Sequence, residues 1–418
     1  MMTLSQRVQE IKTGFSSTFW IANTLEVFER LAFYGAKAIL TVFLAEKVGL
    51  REEAGSLAGL FTGLIFFLPI IAGVFVDRYG FKKTLTACFL IFCIGYFMIG
   101  LAGMQYGREI MEIIGKKPYI VSVLVLTAMG GSLIKPCIVG TVAKTSRMDV
   151  KALGFSIYYT LVNIGGALGP IIALNVRQDF GIEYVLVMSS FTSFLLFLGT
   201  LFFYQEPVDV SGEVAETKTF TRVFSDMVLV FSNVKFMTFL VIFSGFWIMF
   251  WQVYFLLPFY ALDVLHFEQF EILETVGAWT IILVTVPITA LVLRWKPFTA
   301  MTVGFILASL SWVLMGASIT TTAAVIAMAM FAFGEATQAP RFYEYVSSLA
   351  PIGQTGTFMG FAFLPIAIGS YAAGHVADWL RNTYMQTNPA MMWYIVAMIG
   401  LVSTALMIAY DKYFIRKF

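Results

Sequence analysis

Charge is what this chain has least of. Only 12% of its 418 residues are Asp, Glu, Lys or Arg, against 59% hydrophobic, where soluble domains carry about 25% charged residues. A soluble core cannot hide so large an apolar share, so lipid is the expected solvent for most of it. Cysteine and histidine are scarce too. Cys88, Cys93 and Cys137 all lie in apolar stretches, which argues against a disulfide framework and leaves them as packing residues. The two histidines, His266 and His375, are far apart in the chain. No metal-ligand cluster is visible, and neither a metal nor any other cofactor is expected. A net charge of +2 is too small to suggest a nucleic-acid partner. No nucleophile with an adjacent base and no phosphate-binding loop appears, so no catalytic residues are assigned and an enzyme is not expected. The segment before Phe15 is polar and lacks the apolar core and cleavage site of a signal peptide, so the first span should be retained.

What is present is a series of long apolar windows, at about 15–45, 54–76, 84–103, 118–142, 153–175 and 181–204, and then at about 235–262, 272–294, 297–318, 321–347, 354–379 and 389–411. A bilayer crossing needs roughly 20 apolar residues. The windows are near-continuous rather than alternating, which predicts helices and not barrel strands. The expected fold is an all-α polytopic membrane protein of 12 transmembrane helices. The longest polar stretch, Gln205 to Ser232, holds Glu206, Asp209, Glu213, Glu216, Lys218, Arg222 and Asp226 at mid-chain. This predicts an N-terminal six-helix bundle over 1–204, a cytoplasmic linker over 205–234 and a C-terminal six-helix bundle over 235–418, the layout of two related halves. Lys and Arg favour the segments on the side of the N-terminus. They include Arg7 and Lys12, the group Arg78, Lys82 and Lys83, Lys218 in the linker, and Arg416 and Lys417 at the end. Both termini are therefore expected in the cytoplasm, in a plasma (inner) membrane.

An ionised side chain at mid-bilayer costs at least about 2.5–3.5 kcal/mol, so such residues are functional candidates. The first span is the richest. At about 100° per residue, Glu26, Arg30, Tyr34 and Lys37 share one face and Glu29 borders it. Glu26 precedes Arg30 by four, the favourable order for a helical ion pair. This face should line a polar cavity or pack on other polar spans; the alternative is an ion cluster that only fixes packing. Lys135 stands alone in the fourth span beside Pro136. It needs a carboxylate such as Glu29 or Glu335, unless it snorkels to the interface. Glu335 in the tenth span is flanked by Gly334 and Ala336, which permit close helix approach. Arg341 and Glu344 are three apart and expected to pair near the cytoplasmic end, as a gate. Asn163, just before Gly165 and Gly166, would bind a polar solute or a neighbouring helix. Trp247 and Gln252 sit in an aromatic run of the seventh span that would wall a pocket or only pack. Between spans two and three, Asp77 and Arg78 can act as a charge latch on nearby helix ends.

That last loop resembles the inter-span motif of the major facilitator superfamily, with Gly73, Asp77, Arg78, Gly80, Lys82 and Lys83 in step and Phe81 where a basic residue is usual. The segment Glu26-Val27-Phe28-Glu29-Arg30-Leu31-Ala32-Phe33-Tyr34-Gly35 is similar to the ExxERFxYYG signature of the proton-dependent oligopeptide transporters, with Leu31 and Phe33 as departures. Further likenesses follow in chain order. Gly131 to Cys137 matches the fourth-span segment, Phe155 to Tyr159 with Asn163 the fifth, and Gly334–Glu335 with Pro340 and Leu349–Ala350–Pro351 the tenth.

The resemblance implies a secondary active transporter working by alternating access, with proton-coupled symport of di- and tripeptides or peptide-like solutes. Glu26, Glu29 and Arg30 would respond to protons. Tyr34, Lys37, Lys135 and Asn163 would face the peptide, with Lys135 near its carboxylate, and Glu335 would pair with Lys135 or hold the peptide amine. By analogy the protein would be a monomer in a lipid bilayer. One departure stands out. Trp251 occupies the place of the family's seventh-span acid, and Lys37 replaces the arginine that acid pairs with, so this contact must close differently. The linker is also too short and polar for the two extra helices that some bacterial members carry. The competing readings are an exporter or facilitator of another small organic solute, and a non-transporting nutrient sensor on the same fold.

Overall fold

The computed structural model describes residues 14–208, 219–351 and 354–415. The charges at Arg7, Lys12, Asp209, Glu213, Glu216, Lys218, Arg416 and Lys417, and with them the middle of the expected linker, lie outside the described residues.

The chain is a succession of helices: α1 (Ser17–Val42), α2 (Ala54–Phe67), α3 (Pro69–Tyr79), α4 (Phe81–Leu101), α5 (Gln105–Ile114), α6 (Lys116–Thr145), α7 (Lys151–Asp179), α8 (Ile182–Phe202), α9 (Phe220–Ser232), α10 (Val234–Phe255), α11 (Leu257–Asp263), α12 (Phe270–Val292), α13 (Pro297–Ala317), α14 (Thr321–Leu349), α15 (Thr355–Gly360), α16 (Leu364–Tyr384) and α17 (Pro389–Tyr410). Among the described residues, ten helical segments are long and apolar enough to cross a membrane, and the bent pair over Arg51–Phe67 and Pro69–Tyr79 makes an eleventh crossing. The charged helix α1, 26 residues long, completes the expected twelve. Leu283, Val286 and Leu291 on α12 are among its exposed apolar side chains, as befits a helix facing lipid.

Local chemistry explains the boundaries. The second expected span breaks by 47° before Pro69, because proline supplies no N–H to the preceding turn and its ring crowds the carbonyl four residues back. Gly80, at φ 84°, turns the chain sharply between α3 and α4. Asn233, Thr320 and Asn388 accept the N–H of Phe236, Ala323 and Met391 at the starts of α10, α14 and α17, each satisfying a donor that the helix leaves open. Pro136 sits inside α6, which continues through it. The linker region is not wholly irregular: it contains α9, whose Phe224 and Val228 are exposed and whose Val230 is buried.

By contacts the chain forms two compact units. One comprises Met1–Ala36 with Leu68–Val223, the other Lys37–Phe67 with Phe224–Phe418. The residues of α1 are thus divided, and 37–67 group with the second half of the chain rather than with their sequence neighbours. In the first unit α4 packs on α6 and α8, and α3 on α6. In the second, α13 packs on α14 and α17, α2 on α16, and α10 on both α16 and α17. The core of the second unit is aromatic, with Trp312 stacked on Trp393 at 4.9 Å and Phe243 on Phe342 at 4.2 Å.

Candidate functional site

In the first unit the charged face of α1 is held by its approach to α7. A Cβ on Gly35 would lie 3.1 Å from the carbonyl oxygen of Gly169, and one on Gly165 would run into Arg30. Only glycine permits so close a crossing. The crossing buries Glu26 and Glu29, each 2% exposed, together with Arg30. Arg30 Nε donates to Glu29 and lies 3.4 Å from Glu26 Oε1. The Tyr158 hydroxyl donates to the same Glu26 oxygen at 3.4 Å. One oxygen of each acid, Glu26 Oε2 and Glu29 Oε1, has no hydrogen-bond partner. The guanidinium also lies 4.7 Å from the centre of the Phe33 ring, a favourable cation–π contact. Lys135, half-buried on α6, is near enough for its charge to act on both acids. Of the two partners expected for Lys135, Glu29 is one on which its charge acts. The cluster carries two carboxylates against Arg30 and Lys135 in a region that excludes water, so adding or removing one proton changes its balance sharply.

Tyr34 is half-buried and stands edge-on to Phe33 at 5.5 Å. Asn163 donates to the carbonyl of Tyr159 at 2.8 Å, one turn back on its own helix, rather than to a neighbouring helix.

In the second unit Lys37 is 7% exposed. Its ammonium lies 3.4 Å from the centre of the Tyr254 ring and 4.4 Å from that of Trp251, with Phe250 at 5.8 Å. Aromatic faces of α10 thus meet this cation where the resemblance led one to look for an acid. The cation acting on the half-buried Glu335 of α14 is Lys37. Trp247 is half-buried and edge-on to Phe246 and Phe250. Gln252 stands apart from this group. It is fully buried, and its Nε2 donates to the carbonyls of Ile248 at 3.1 Å and Ala373 at 3.2 Å, tying α10 to α16. Arg341 pairs with Glu344 at 2.5 Å, as expected, and also donates to the carbonyl of Trp295.

In the last turn of α3, before the sharp turn into α4, Asp77 and Arg78 are exposed, and Arg78 lies over the Tyr79 ring. The carboxylate that holds the start of α4 is Glu206, which accepts the N–H of Phe81 at 2.6 Å and of Lys82 at 2.9 Å. Read from sequence, Glu206 was only one of several linker charges. Two further groups escaped sequence reasoning. Asp378 on α16 accepts the N–H of Gly55 and Ser56. Glu271 and Glu274 in the first turns of α12 are both buried. Their spacing of three at the start of an apolar window was the available signal.

A sequence profile described as Major Facilitator Superfamily matches residues 25–374. Dipeptide and tripeptide permease B of Xenorhabdus bovienii is 28% identical over 167 residues, 39% of this chain and 32% of that protein. The permease of the same name from Photorhabdus luminescens is 30% identical over 161 residues, 37% of this chain and 31% of that one. The chain thus spans about a third of the length of the curated relatives it matches. Among solved structures, a POT family transporter in complex with 5-aminolevulinic acid superposes with a TM-score of 0.77 at 15% identity, over 94% of this chain and 96% of that one. Peptide transporter POT in complex with sulfate gives 0.78 at 15% identity, over 94% of each. At that identity the likeness shows the fold. With a superfamily profile running from α1 into α16, the chain belongs to the Major Facilitator Superfamily and within it resembles the proton-dependent oligopeptide transporters.

Proposed function

We propose that this protein is a secondary active transporter that carries di- and tripeptides or peptide-like solutes together with protons across the plasma membrane, with both termini in the cytoplasm. The observation that carries this reading is the buried cluster on α1: two carboxylates, Glu26 and Glu29, share Arg30 with Lys135 in electrostatic reach. Charges this costly to bury are retained for a task, and a proton is the smallest ligand able to reset them. The peptide-permease names of the curated relatives support the substrate class.

In this reading two six-helix bundles, 1–204 and 235–418, close alternately about a midplane cavity as a monomer, joined by the 205–234 linker. A proton from outside neutralises Glu26 or Glu29, Arg30 loses a partner, and the loaded inward-opening state gains population. Only a difference in affinity between the states can drive that shift. Tyr34, Lys37, Lys135, Asn163, Trp247 and Glu335 are the residues assigned to the peptide, with Lys135 toward its carboxylate. Asp77 with Arg78, and Arg341 with Glu344, act as latches.

The test is uptake of a labelled dipeptide into proteoliposomes under an imposed pH gradient. Accumulation above the external concentration is expected when the interior is alkaline, and its loss in the E26Q/E29Q double variant. Equilibration that ignores the gradient would sink the symport claim and favour a facilitator of another solute. Accumulation surviving in the double variant would sink the residue assignment.

A further inference from the structure

Helix α5 joins two spans and is not one itself. It is 10 residues long, where a bilayer crossing needs about 20. Its neighbours α4 and α6 are both long and apolar enough to cross. Only Ala102, Gly103 and Met104 lie between α4 and α5, and only Gly115 between α5 and α6. Three extended residues reach about 10 Å at most, so both ends hold α5 where the two spans leave the hydrocarbon. The turn at its start is tight: a Cβ on Gly107 would run into the carbonyl of Leu101, the last residue of α4. Gly115, at φ 89°, makes the turn at its end.

At about 100° per residue, α5 sorts into three faces. Gly107 and Met111 are buried on the side where α5 packs on α4 and α6. Gln105, Arg108, Glu109 and Glu112 form an exposed polar face, on which Gln105 donates to Glu109 at 3.2 Å. Tyr106, Ile110, Ile113 and Ile114 share the third face and are exposed, Ile113 at 84% and Tyr106 at 72%. Four large apolar side chains together on one exposed face mark an interaction surface. Its position says what meets it. On α4 the exposed stripe of Leu90, Ile94 and Phe97 carries the lipid boundary to within a turn of Leu101, and α5 begins just beyond. Tyrosine is itself a side chain of membrane–water interfaces.

We propose that α5 is a lipid-binding helix that lies in the plane of the membrane surface. Tyr106, Ile110, Ile113 and Ile114 seat at the boundary between phospholipid headgroups and acyl chains, and the polar face stays in water. Helices of this kind sink about 5–10 Å into that boundary. Arg108 on the polar face and the exposed Lys116 that follows supply cations at the level of the headgroup phosphates. The surface lies wholly within the first unit. It uses none of the residues assigned to the proton or the peptide, so it goes beyond the transport reading and stands apart from it.

The test places a nitroxide label on the full-length protein in phosphatidylcholine nanodiscs. It compares collisions of the label with oxygen, which concentrates in lipid, and with a water-soluble nickel chelate. Wild type, whose cysteines all lie within α4 and α6, gives the labelling background. Labels at I113C and I110C are expected to collide preferentially with oxygen, and labels at E109C and E112C preferentially with the chelate. Each face is read at two positions, so a variant that fails to fold leaves the other to decide. Ready access of the chelate at I113C and I110C overturns the proposal, because the apolar face then lies in water. Protection from both reagents there overturns it too, because protein then covers the face. Spin–spin broadening that disappears on dilution with unlabelled protein would identify that cover as a second copy of the chain. No substrate or pH gradient enters the measurement, so a failure of dipeptide uptake leaves its outcome standing.

Discussion

The carboxylate of Asp378 accepts the backbone N–H of Gly55 at 2.8 Å across 323 positions of sequence, and that of the neighbouring Ser56 at 2.7 Å. It does for α2, from another helix, what an N-cap side chain does from its own. Replacing it removes two acceptors from the positive end of a helix. D378A is expected to lower stability by about 0.5–2 kcal/mol, read as a reduced melting temperature in detergent. Faster hydrogen exchange at Gly55 and Ser56 should accompany it, with D378N in between.

The same contact depends on the absence of side chains. A Cβ on Gly55 would sit 2.7 Å from the carbonyl oxygen of Gly374, and one on Gly374 would run into the backbone of Gly55. Backbone cannot yield as a side-chain tip does. G55L and G374L are therefore expected to cost about 1–3 kcal/mol each by overpacking. Because they disrupt one crossing, the double variant should cost less than the two added together. Thermal melts of the three proteins decide this.

Arg30 offers a test of the α1 cluster that needs no substrate. Removing it strands Glu26 and Glu29 in a buried site, and breaking a buried pair in this way costs about 3–5 kcal/mol. R30A should melt well below wild type. Adding E26Q and E29Q should recover part of the loss, since no unpaired carboxylates remain. A triple variant no more stable than R30A would show that Arg30 matters by packing, through its contact with Phe33, and not by charge.

On the proposed transport reading, the pH dependence of uptake has a definite sign. If uptake requires a neutral Glu26 or Glu29, wild-type uptake rises as external pH falls, because acid supplies the proton the cycle consumes. Glutamine imitates the neutral acid at every pH. Initial rates of dipeptide exchange by E26Q/E29Q should therefore vary much less with external pH than those of wild type, measured over the same pH series.

Much of this protein was legible before any coordinates. Near-continuous apolar windows determine where the helices run, because a backbone in lipid must satisfy its own hydrogen bonds. Four charged residues in one such window marked α1, because burial makes them expensive. The pairing of Arg341 with Glu344 could be read from a spacing of three. The resemblance also registered that Trp251 stands in the place of the family's acid and that its contact with Lys37 must close differently.

What sequence did not reveal was mostly a matter of which distant residues meet. The break before Pro69 was hidden inside one apolar window. Asp378 looked like a residue near the end of a span until it was found against Gly55, and Glu206 like one linker charge among several until it was found at the start of α4. Glu274 was hidden by its apolar neighbours, and Gln252 was assigned to a pocket when its amide is engaged by Ile248 and Ala373. Hydropathy and helical period act over a few residues and are written along the chain. The carboxylates that hold α2 and α4 and the aromatic faces around Lys37 come from tens or hundreds of positions away, and only the folded backbone brings those together.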